Sequence, residues 1–267
     1  MDYMDKMPFR IVQISDMHLF ADREKALLGV KTDESLRAVL SQVKQEKNID
    51  MLFLSGDLSQ DASEEAYIRV ANYVSELNIP TYYIPGNHDD TNVMARVYPR
   101  GMLSNERHIL IKDWQIILLD SHQHGRVEGR LDETQLNYLE QCLQAYPEHR
   151  AIIAFHHQPV LIGCGWLDVL GVTNADVFWK VVAKYPNVHT ILFAHVHQTY
   201  ENKAHGIPCY SPPSTCIQFK GKCDDFALED IPPGYRWLEL HADGSLKTEI
   251  RRVEKYVGQF DATAKGY

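Results

Sequence analysis

The sequence predicts an α/β fold that combines βαβ units with antiparallel strands. Short apolar runs alternate with amphipathic windows over the first two thirds of the chain, and helix start signals stand between the runs. Two further segments have the pattern of β-hairpins. Alternation of this kind is typical of a sheet with helices packed on its faces.

Six short apolar runs predict buried central strands. Strands covered on both faces are nearly continuous in apolar residues, and these runs have that composition. They span residues 9–15, 51–54, 81–84, 116–119, 151–155 and 189–194.

Three polar residues predict the helix starts between these runs. Thr32, Ser63 and Asp132 each open an amphipathic window, and each is followed within three residues by an acidic residue or glutamine. Such a side chain can accept a hydrogen bond from an N–H group of the first turn. Residues 107–121 and 237–251 predict the two hairpins, which turn at 112–113 and 242–244.

Length and composition predict one domain over residues 1–267 in a reducing compartment. The chain is 45% hydrophobic and has no linker-like stretch. Its five cysteines include no C-x-x-C pair, which favours free thiols. We expect a cytoplasmic protein, because the N-terminus lacks the pattern of a signal peptide and no apolar run resembles a membrane span. A formal net charge of -9 opposes binding to nucleic acid or anionic lipid.

Residue types that bind metals follow several of the predicted strands. Strand ends are where α/β sheets collect their ligands. In extended chain, residues two apart project to one side, so Asp16 could share an ion with His18, and His195 a site with His197. The candidates are Asp16, His18, Asp57, Asn87, His88, Asp89, His156, His195 and His197.

Each of these motifs also has an ordinary structural explanation. Gly86 and Asn87 suit a simple turn, and the pair His156 and His157 could be hydrogen-bonded core histidines. The order D-x-H, G-D, G-N-H-D, H, H-x-H, with each element at the end of an apolar run, favours a metal site.

At these residues the sequence resembles the calcineurin-like metallophosphoesterase superfamily. The resemblance implies an α/β fold of the four-layer α/β/β/α type, a sandwich of two mixed sheets. It also implies a binuclear centre with Asp57 bridging the two ions. One ion would be held by Asp16, His18, Asp57 and His197, and the other by Asp57, Asn87, His156 and His195.

The resemblance implies two divalent or trivalent ions per chain, iron or manganese first and zinc as an alternative. Imidazole nitrogens with carboxylate and amide oxygens suit all three metals, and no thiolate is present for a soft ion. A metal-activated hydroxide would then attack phosphorus, with Asp57 as the bridging carboxylate. We expect His88 to protonate the leaving oxygen and Asp89 to orient its imidazole. The phosphate would lie against His18, Asp57, Asn87, His88 and His197, with His157 lining the same pocket.

Further stretches are similar to the bacterial class III 3′,5′-cyclic AMP phosphodiesterases. They include residues 18–20, 26–30, 163–168, 213–220 and 234–240. This likeness implies hydrolysis of cyclic AMP, a small cyclic nucleotide, to 5′-AMP, which lowers cellular cyclic AMP. Two positions depart from the family pattern. Ala194 stands where many relatives have glycine, and Gln158 where a third histidine is frequent.

Several alternatives remain open at the level of sequence. The same motifs serve phosphodiesterases of broader specificity, including those acting on 2′,3′-cyclic nucleotides, as well as phosphomonoesterases and nucleases. A non-catalytic scaffold of the same fold would be expected to lack ligands, and here every expected ligand position is filled. The oligomeric state is also open, with a homodimer as one alternative.

Overall fold

The computed structural model describes residues 7–254 and 258–266 and contains two six-stranded sheets. The first sheet has the order β14-β13-β1-β4-β5-β6 and the second β11-β12-β10-β9-β8-β7. A short ribbon pairs β2 with β3. The strands are β1 (Phe9–Ile14), β2 (Ala26–Leu27), β3 (Val30–Lys31), β4 (Met51–Leu54), β5 (Thr81–Tyr83), β6 (Leu103–Ser104), β7 (His108–Ile111), β8 (Trp114–Leu118), β9 (Arg150–Ala154), β10 (Val188–Leu192), β11 (Tyr200–Ala204), β12 (Ile207–Ser211), β13 (Gly234–Leu240) and β14 (Leu246–Arg252).

Both sheets are mixed. In the first sheet β1, β4, β5 and β6 are parallel, while β13 and β14 complete it in antiparallel pairing. In the second sheet β8, β9, β10 and β12 are parallel, and β7 and β11 form antiparallel edges. Strand β13 pairs with β1, so a strand from the last quarter of the sequence lies beside the first one.

The sheets pack face to face with helices outside, which confirms the predicted four-layer α/β/β/α sandwich. Alternation along β8 shows the layering: Ile116 and Leu118 lie in the core between the sheets, whereas Ile117 faces the outer helical layer. The other sheet is covered by Val39 of α1 and Tyr67 of α2. The helices are α1 (Thr32–Val43), α2 (Glu64–Ser75), α3 (Thr91–Val97), α4 (Glu133–Ala145), α5 (Gly165–Asp168) and α6 (Ala175–Val182).

The predicted strands are present to within two residues and the hairpins to within three, and two of the three predicted caps are made. Ser63 accepts a hydrogen bond from the Ala66 N–H, and Asp132 accepts one from the Gln135 N–H. The expected cap at Thr32 is wrong, because Thr32 is the first helical residue and the preceding Lys31 makes no side-chain cap. Within the described ranges no helix is long and apolar enough to cross a membrane.

Candidate metal centre

The predicted ligands meet where strands of both sheets end. Asp16 and Asp57 follow the parallel strands β1 and β4 of the first sheet, and Asn87 follows β5. His156 and His195 follow the parallel strands β9 and β10 of the second sheet. Because the carboxyl ends of parallel strands meet at one edge, the two sheets together form a single polar centre.

Tight turns, rather than extended chain, present these side chains. Asp16, His18, Asp57, His195 and His197 all have left-handed backbone, with φ between 46° and 68°. Non-glycine residues rarely adopt this conformation, and it clusters at functional sites. The expectation that residues two apart would share an ion through strand geometry is therefore wrong for the H-x-H pair. His197 lies with Asp16, His18 and Asp57, whereas His195 lies with His156.

The first group of ligand atoms, which we call the Asp16 half, contains Asp16, His18 and His197 beside Asp57. All four side chains are completely buried. The Nε2 atoms of His18 and His197 are 3.0 Å apart, and Nε2 of His197 is 3.6 Å from Oδ1 of Asp16. Nε2 of His18 is 3.7 Å from Oδ2 of Asp57. These donor atoms are close enough to surround one cation.

The second group, the His156 half, contains His156 and His195, with a ring nitrogen of His157 within 4.8 Å of theirs, and Asn87 is the further ligand predicted for it. Nε2 of His156 lies 3.3 Å from Oδ2 of Asp57. The imidazoles of His156 and His195 meet edge to face, with ring centroids 5.2 Å apart. Asp57 Oδ2 thus lies between His18 of one half and His156 of the other, which is the place for a bridging carboxylate.

Several buried polar atoms at this centre have no hydrogen-bond partner among the described residues. Buried polar atoms are nearly always paired, because desolvation without a partner is costly. Here each atom without a partner is an oxygen or nitrogen that can coordinate a metal ion, so the residues of the centre fit bound cations. They are Oδ1 and Oδ2 of Asp16, Oδ2 of Asp57, Oδ1 of Asn87, Nε2 of His156, and Nδ1 and Nε2 of His195.

Hydrogen bonds outside the centre fix the orientation of three imidazoles. Nδ1–H of His156 donates to the Ser55 carbonyl at 2.7 Å, and Nδ1–H of His197 donates to the Ile217 carbonyl at 3.0 Å. Nδ1 of His18 lies 2.6 Å from Oε1 of Gln60. With a proton on Nδ1, each ring directs its Nε2 atom to the interior of the centre, as metal-ligating histidines do.

Burial and mutual charge shift the pKa values of these groups. Burial raises the pKa of Asp16 to about 7 and lowers the pKa of His18 and of His195 to about 3. Burial opposes ionisation of Asp57 as well, but His156, His88 and His18 together outweigh it and hold the pKa of Asp57 well below its usual range. Burial would lower the pKa of His156, but Asp57, Asp16 and the Ser55 carbonyl together raise it to about 9. Neutral His18 and His195 present lone pairs, and ionised Asp57 presents negative charge.

The two motif glycines are required by close approach. A Cβ on Gly56, whose φ is +100°, would lie 2.3 Å from Nδ1 of His156. A Cβ on Gly86 would lie 2.2 Å from Oδ1 of Asp57. Any side chain at either position would displace a candidate ligand.

The carboxylate of Asp89 connects neighbouring loops. Its carboxylate accepts hydrogen bonds from the N–H groups of Leu58 and Gly86, at 3.0 and 2.9 Å, and from the Tyr67 hydroxyl at 3.1 Å. The expected role of Asp89 towards the His88 imidazole stays a prediction. His88 is positioned by its backbone, whose N–H donates to Oδ1 of Asp57 at 2.9 Å.

His157 lies beside the centre, but both of its ring nitrogens are engaged elsewhere. The Ser121 hydroxyl donates to Nδ1 at 2.8 Å, and Nε2–H donates to the Val127 carbonyl at 3.0 Å. It is therefore a support for the loop at 121–127. Gln158 likewise turns away, with Nε2 donating to the Leu167 carbonyl at 2.7 Å. Ala194 is outside the left-handed region, so alanine causes no backbone strain there.

Sequence reasoning missed the outer partners of the histidines. Ser55 and Ile217 act through backbone carbonyls, so their side chains carry no signal. Gln60 lies three residues after Asp57, and a polar residue in a loop is unremarkable without the geometry. Only the fold brings these groups behind the ligands.

A sequence comparison agrees with this geometry. The profile of the family described as "Calcineurin-like phosphoesterase" matches residues 9–199, which include every candidate ligand. The chain belongs to the calcineurin-like phosphoesterase family. Membership of this family supports two metal ions per chain, as do the cluster of Asp16, His18, Asp57 and His197 and the cluster of His156, His157 and His195.

Full-length relatives of this phosphoesterase carry a more specific name. Proteins from Vibrio vulnificus and from Escherichia coli K12, both called 3′,5′-cyclic adenosine monophosphate phosphodiesterase CpdA, are 41% identical to it. The first similarity covers 100% of this chain and 98% of the relative, and the second covers 97% and 94%. A relative of the same name from Pseudomonas aeruginosa is 37% identical over 96% of this chain and 94% of its own length.

Solved structures of the same fold are more distant in sequence. A dimetal phosphatase from Danio rerio superposes with a TM-score of 0.65 at 15% identity, over 93% of this phosphoesterase and 100% of the other chain. GAP50, the anchor in the inner membrane complex of Plasmodium, superposes with a TM-score of 0.66 at 12% identity, over 97% and 90%. Because one protein is named a phosphatase and the other an anchor, the fold alone does not decide between enzyme and scaffold.

Proposed function

We propose that this protein hydrolyses 3′,5′-cyclic AMP to 5′-AMP at a binuclear metal centre. The observation that carries the chemistry is the convergence of buried, unpaired ligand atoms on both sides of Asp57. The substrate is supported by similarity over nearly the whole chain to relatives named as cyclic AMP phosphodiesterases.

Both halves of the centre are proposed to take a metal ion, with Asp57 as the shared ligand. The donors are imidazole nitrogen, carboxylate oxygen and amide oxygen, which suit iron or manganese, with zinc as the alternative. We assign Asp16, His18, Asp57 and His197 to one ion, and Asp57, Asn87, His156 and His195 to the other.

Bound metal ions supply positive charge to the phosphate and lower the pKa of a nearby water towards neutrality. The chain supplies the rest by holding its groups in place. Asp57 keeps its negative charge despite complete burial, because His156 and His88 stand against it. The carbonyl of Ser55 fixes the tautomer of His156, so no reorientation of that ring is needed during turnover.

His88 is proposed to protonate the leaving oxygen. It is the partly exposed histidine of the group, so its side chain can reach a substrate. Its backbone N–H is bonded to Asp57, and its ring lies edge-on to His18 at 4.9 Å between centroids. An imidazole in this place can donate a proton to the 3′ oxygen as the ester bond breaks.

The phosphate of the substrate is proposed to lie above Asp57, where both halves of the centre open towards His88. Groups from both sheets then face the same phosphate, which orients the ester for in-line attack. The residues proposed to surround it are His18, Asp57, Asn87, His88 and His197.

We further propose that residues 1–267 act as one domain in the cytoplasm and lower the level of cyclic AMP. Completion of the first sheet by β13 and β14 supports a single domain. The formal net charge of -9 supports a small nucleotide rather than a nucleic acid as substrate.

The test is a substrate panel with manganese-loaded protein. It compares 3′,5′-cyclic AMP, 2′,3′-cyclic AMP, bis(p-nitrophenyl) phosphate and a phosphomonoester, with metal-stripped protein as control. We expect metal-dependent formation of 5′-AMP, with 3′,5′-cyclic AMP having the highest kcat/KM. Metal-dependent turnover of the other diesters alone would support the two-metal mechanism but contradict the assignment of cyclic AMP as substrate. Absence of turnover on every ester would favour a scaffold.

A further inference from the structure

Two cysteines meet on loops beside the metal centre. Sγ of Cys164 and Sγ of Cys223 are 3.6 Å apart, although they are 59 residues apart in sequence. Cys164 directly precedes α5, and Cys223 lies in the loop between β12 and β13. All five cysteines of the chain carry free thiols, so this pair is in its reduced form.

The backbones of the two loops are in contact beside the cysteines. The N–H of Gly165 donates to the Cys223 carbonyl at 3.0 Å. A Cβ on Gly165 would lie 3.3 Å from the Cα of Asp224, so the segments run side by side. Disulfide formation would bring the sulfurs from 3.6 Å to about 2.0 Å, a change that side-chain rotation can largely provide.

The two thiols differ in access to solvent. Cys164 is completely buried, whereas Cys223 is partly exposed. An external disulfide can therefore reach Cys223 first, with Cys164 placed to resolve the intermediate. Burial raises the pKa of Cys223, so we expect slow exchange rather than the fast reaction of a low-pKa thiol.

We propose that Cys164 and Cys223 form a reversible disulfide that disturbs the His197 side of the metal centre. In the first step Cys223, as thiolate, attacks a small disulfide such as oxidised glutathione and releases one reduced glutathione. In the second step Cys164 attacks the mixed disulfide and releases the other. Both cysteines are oxidised and one glutathione disulfide is reduced, and the two thiol protons pass to the two released thiols.

The link to the metal centre is Phe219. Its ring stacks on the imidazole of His197 with centroids 4.3 Å apart and planes inclined by 17°. Its N–H also donates to the His197 carbonyl at 3.1 Å. Phe219 therefore supports His197 through both the ring and the main chain.

The thiols hold the residue that follows Phe219. The Lys220 carbonyl accepts the S–H of Cys223 at 2.9 Å and that of Cys164 at 3.7 Å. A disulfide removes both donors and draws the two loops together. We expect Phe219 to shift against His197, so the effect on turnover rests on the proposed function of His197 as a ligand.

The first test measures the covalent step in the manganese-loaded full chain. Incubation with oxidised glutathione should remove two hydrogen atoms from the intact mass, and peptide mapping should link Cys164 to Cys223. Cys223→Ser should abolish the link, with Cys223→Ala as a second variant. Cys142→Ala, which removes a buried thiol of α4, should leave it intact. Absence of the link, or a lasting glutathione adduct on Cys223, would overturn the proposal.

The second test measures the effect of the disulfide on turnover. In the linked protein kcat should fall about tenfold, as it does when a partner behind a metal ligand is disturbed, and dithiothreitol should restore it. Cys223→Ser should keep its activity in oxidised glutathione. Unchanged turnover and manganese content in the linked protein would overturn the effect on His197. The mass measurement needs no substrate, so failure of the cyclic AMP assignment is distinguishable from failure of the disulfide.

Discussion

The two halves of the metal centre differ in how firmly their imidazoles are held. In the Asp16 half, Nδ1 of His18 meets Gln60 and Nδ1 of His197 meets the Ile217 carbonyl. In the His156 half, only His156 is fixed in this way, while neither ring nitrogen of His195 has a hydrogen-bond partner among residues 7–254 and 258–266. Fixed ligands lose less freedom on binding, so we expect the Asp16 half to bind its ion more tightly.

Two neighbouring histidines in the His156 half also differ in how their ring nitrogens are held. His156 and His157 are adjacent and both completely buried. His156 uses one nitrogen for support and presents the other to Asp57, whereas His157 uses both for support. Burial and residue type therefore do not by themselves make a histidine a ligand. A ring nitrogen must also remain that makes no supporting hydrogen bond.

The largest effect is expected from the residue that both halves share. Asp57→Asn should lose both ions and all measurable turnover, because the amide brings no negative charge to either half. Metal content and kcat/KM check this. Asp61→Asn, in the same loop but bonded to Ser63, should retain both ions. Retention of two ions by Asp57→Asn would contradict the bridging role.

Removal of the proton donor should leave both halves intact. His88→Ala should keep two ions but lower kcat for cyclic AMP by about a hundredfold or more, the usual contribution of a general acid. With bis(p-nitrophenyl) phosphate the loss should be smaller, because nitrophenolate leaves without a proton. An equal loss on both substrates would argue against proton donation.

The family resemblance predicted the layers of the fold and the division of His195 and His197 between two groups, whereas strand geometry alone did not predict that division. Apolar runs located the central strands, because burial on both faces leaves a direct mark on composition. The left-handed turns at His195 and His197 leave no such mark, so strand geometry wrongly paired them. The N–H groups of Leu58 and Gly86 that donate to Asp89 leave no mark either, because every residue except proline has such a group.

A smaller effect is expected from a residue behind the Asp16 half. Gln60→Ala should weaken metal binding by about tenfold, because His18 loses the acceptor that orients it. Gln60→Glu keeps an acceptor and should restore the affinity. Titration of the metal-stripped variants with manganese measures the affinity of each half. If only the affinity for the more weakly bound ion falls, the Asp16 half is the weaker site, contrary to our expectation.

The smallest effect on activity is expected from His157. His157→Gln should retain both ions and turnover, while the free energy of unfolding falls by about 1–2 kcal/mol through lost hydrogen bonds to Ser121 and Val127. Urea unfolding measures this loss, and His124→Gln, at an exposed position of the same loop, should show almost none. Loss of an ion from His157→Gln would make His157 a ligand.

The most direct test of the account is anomalous X-ray diffraction from crystals of the manganese-loaded protein. We expect two peaks with Asp57 touching both, one among Asp16, His18 and His197 and the other among Asn87, His156 and His195. In crystals grown with less than one equivalent of manganese, the first peak should be the stronger. A single peak, or an ion bound by His157, would contradict the proposed centre.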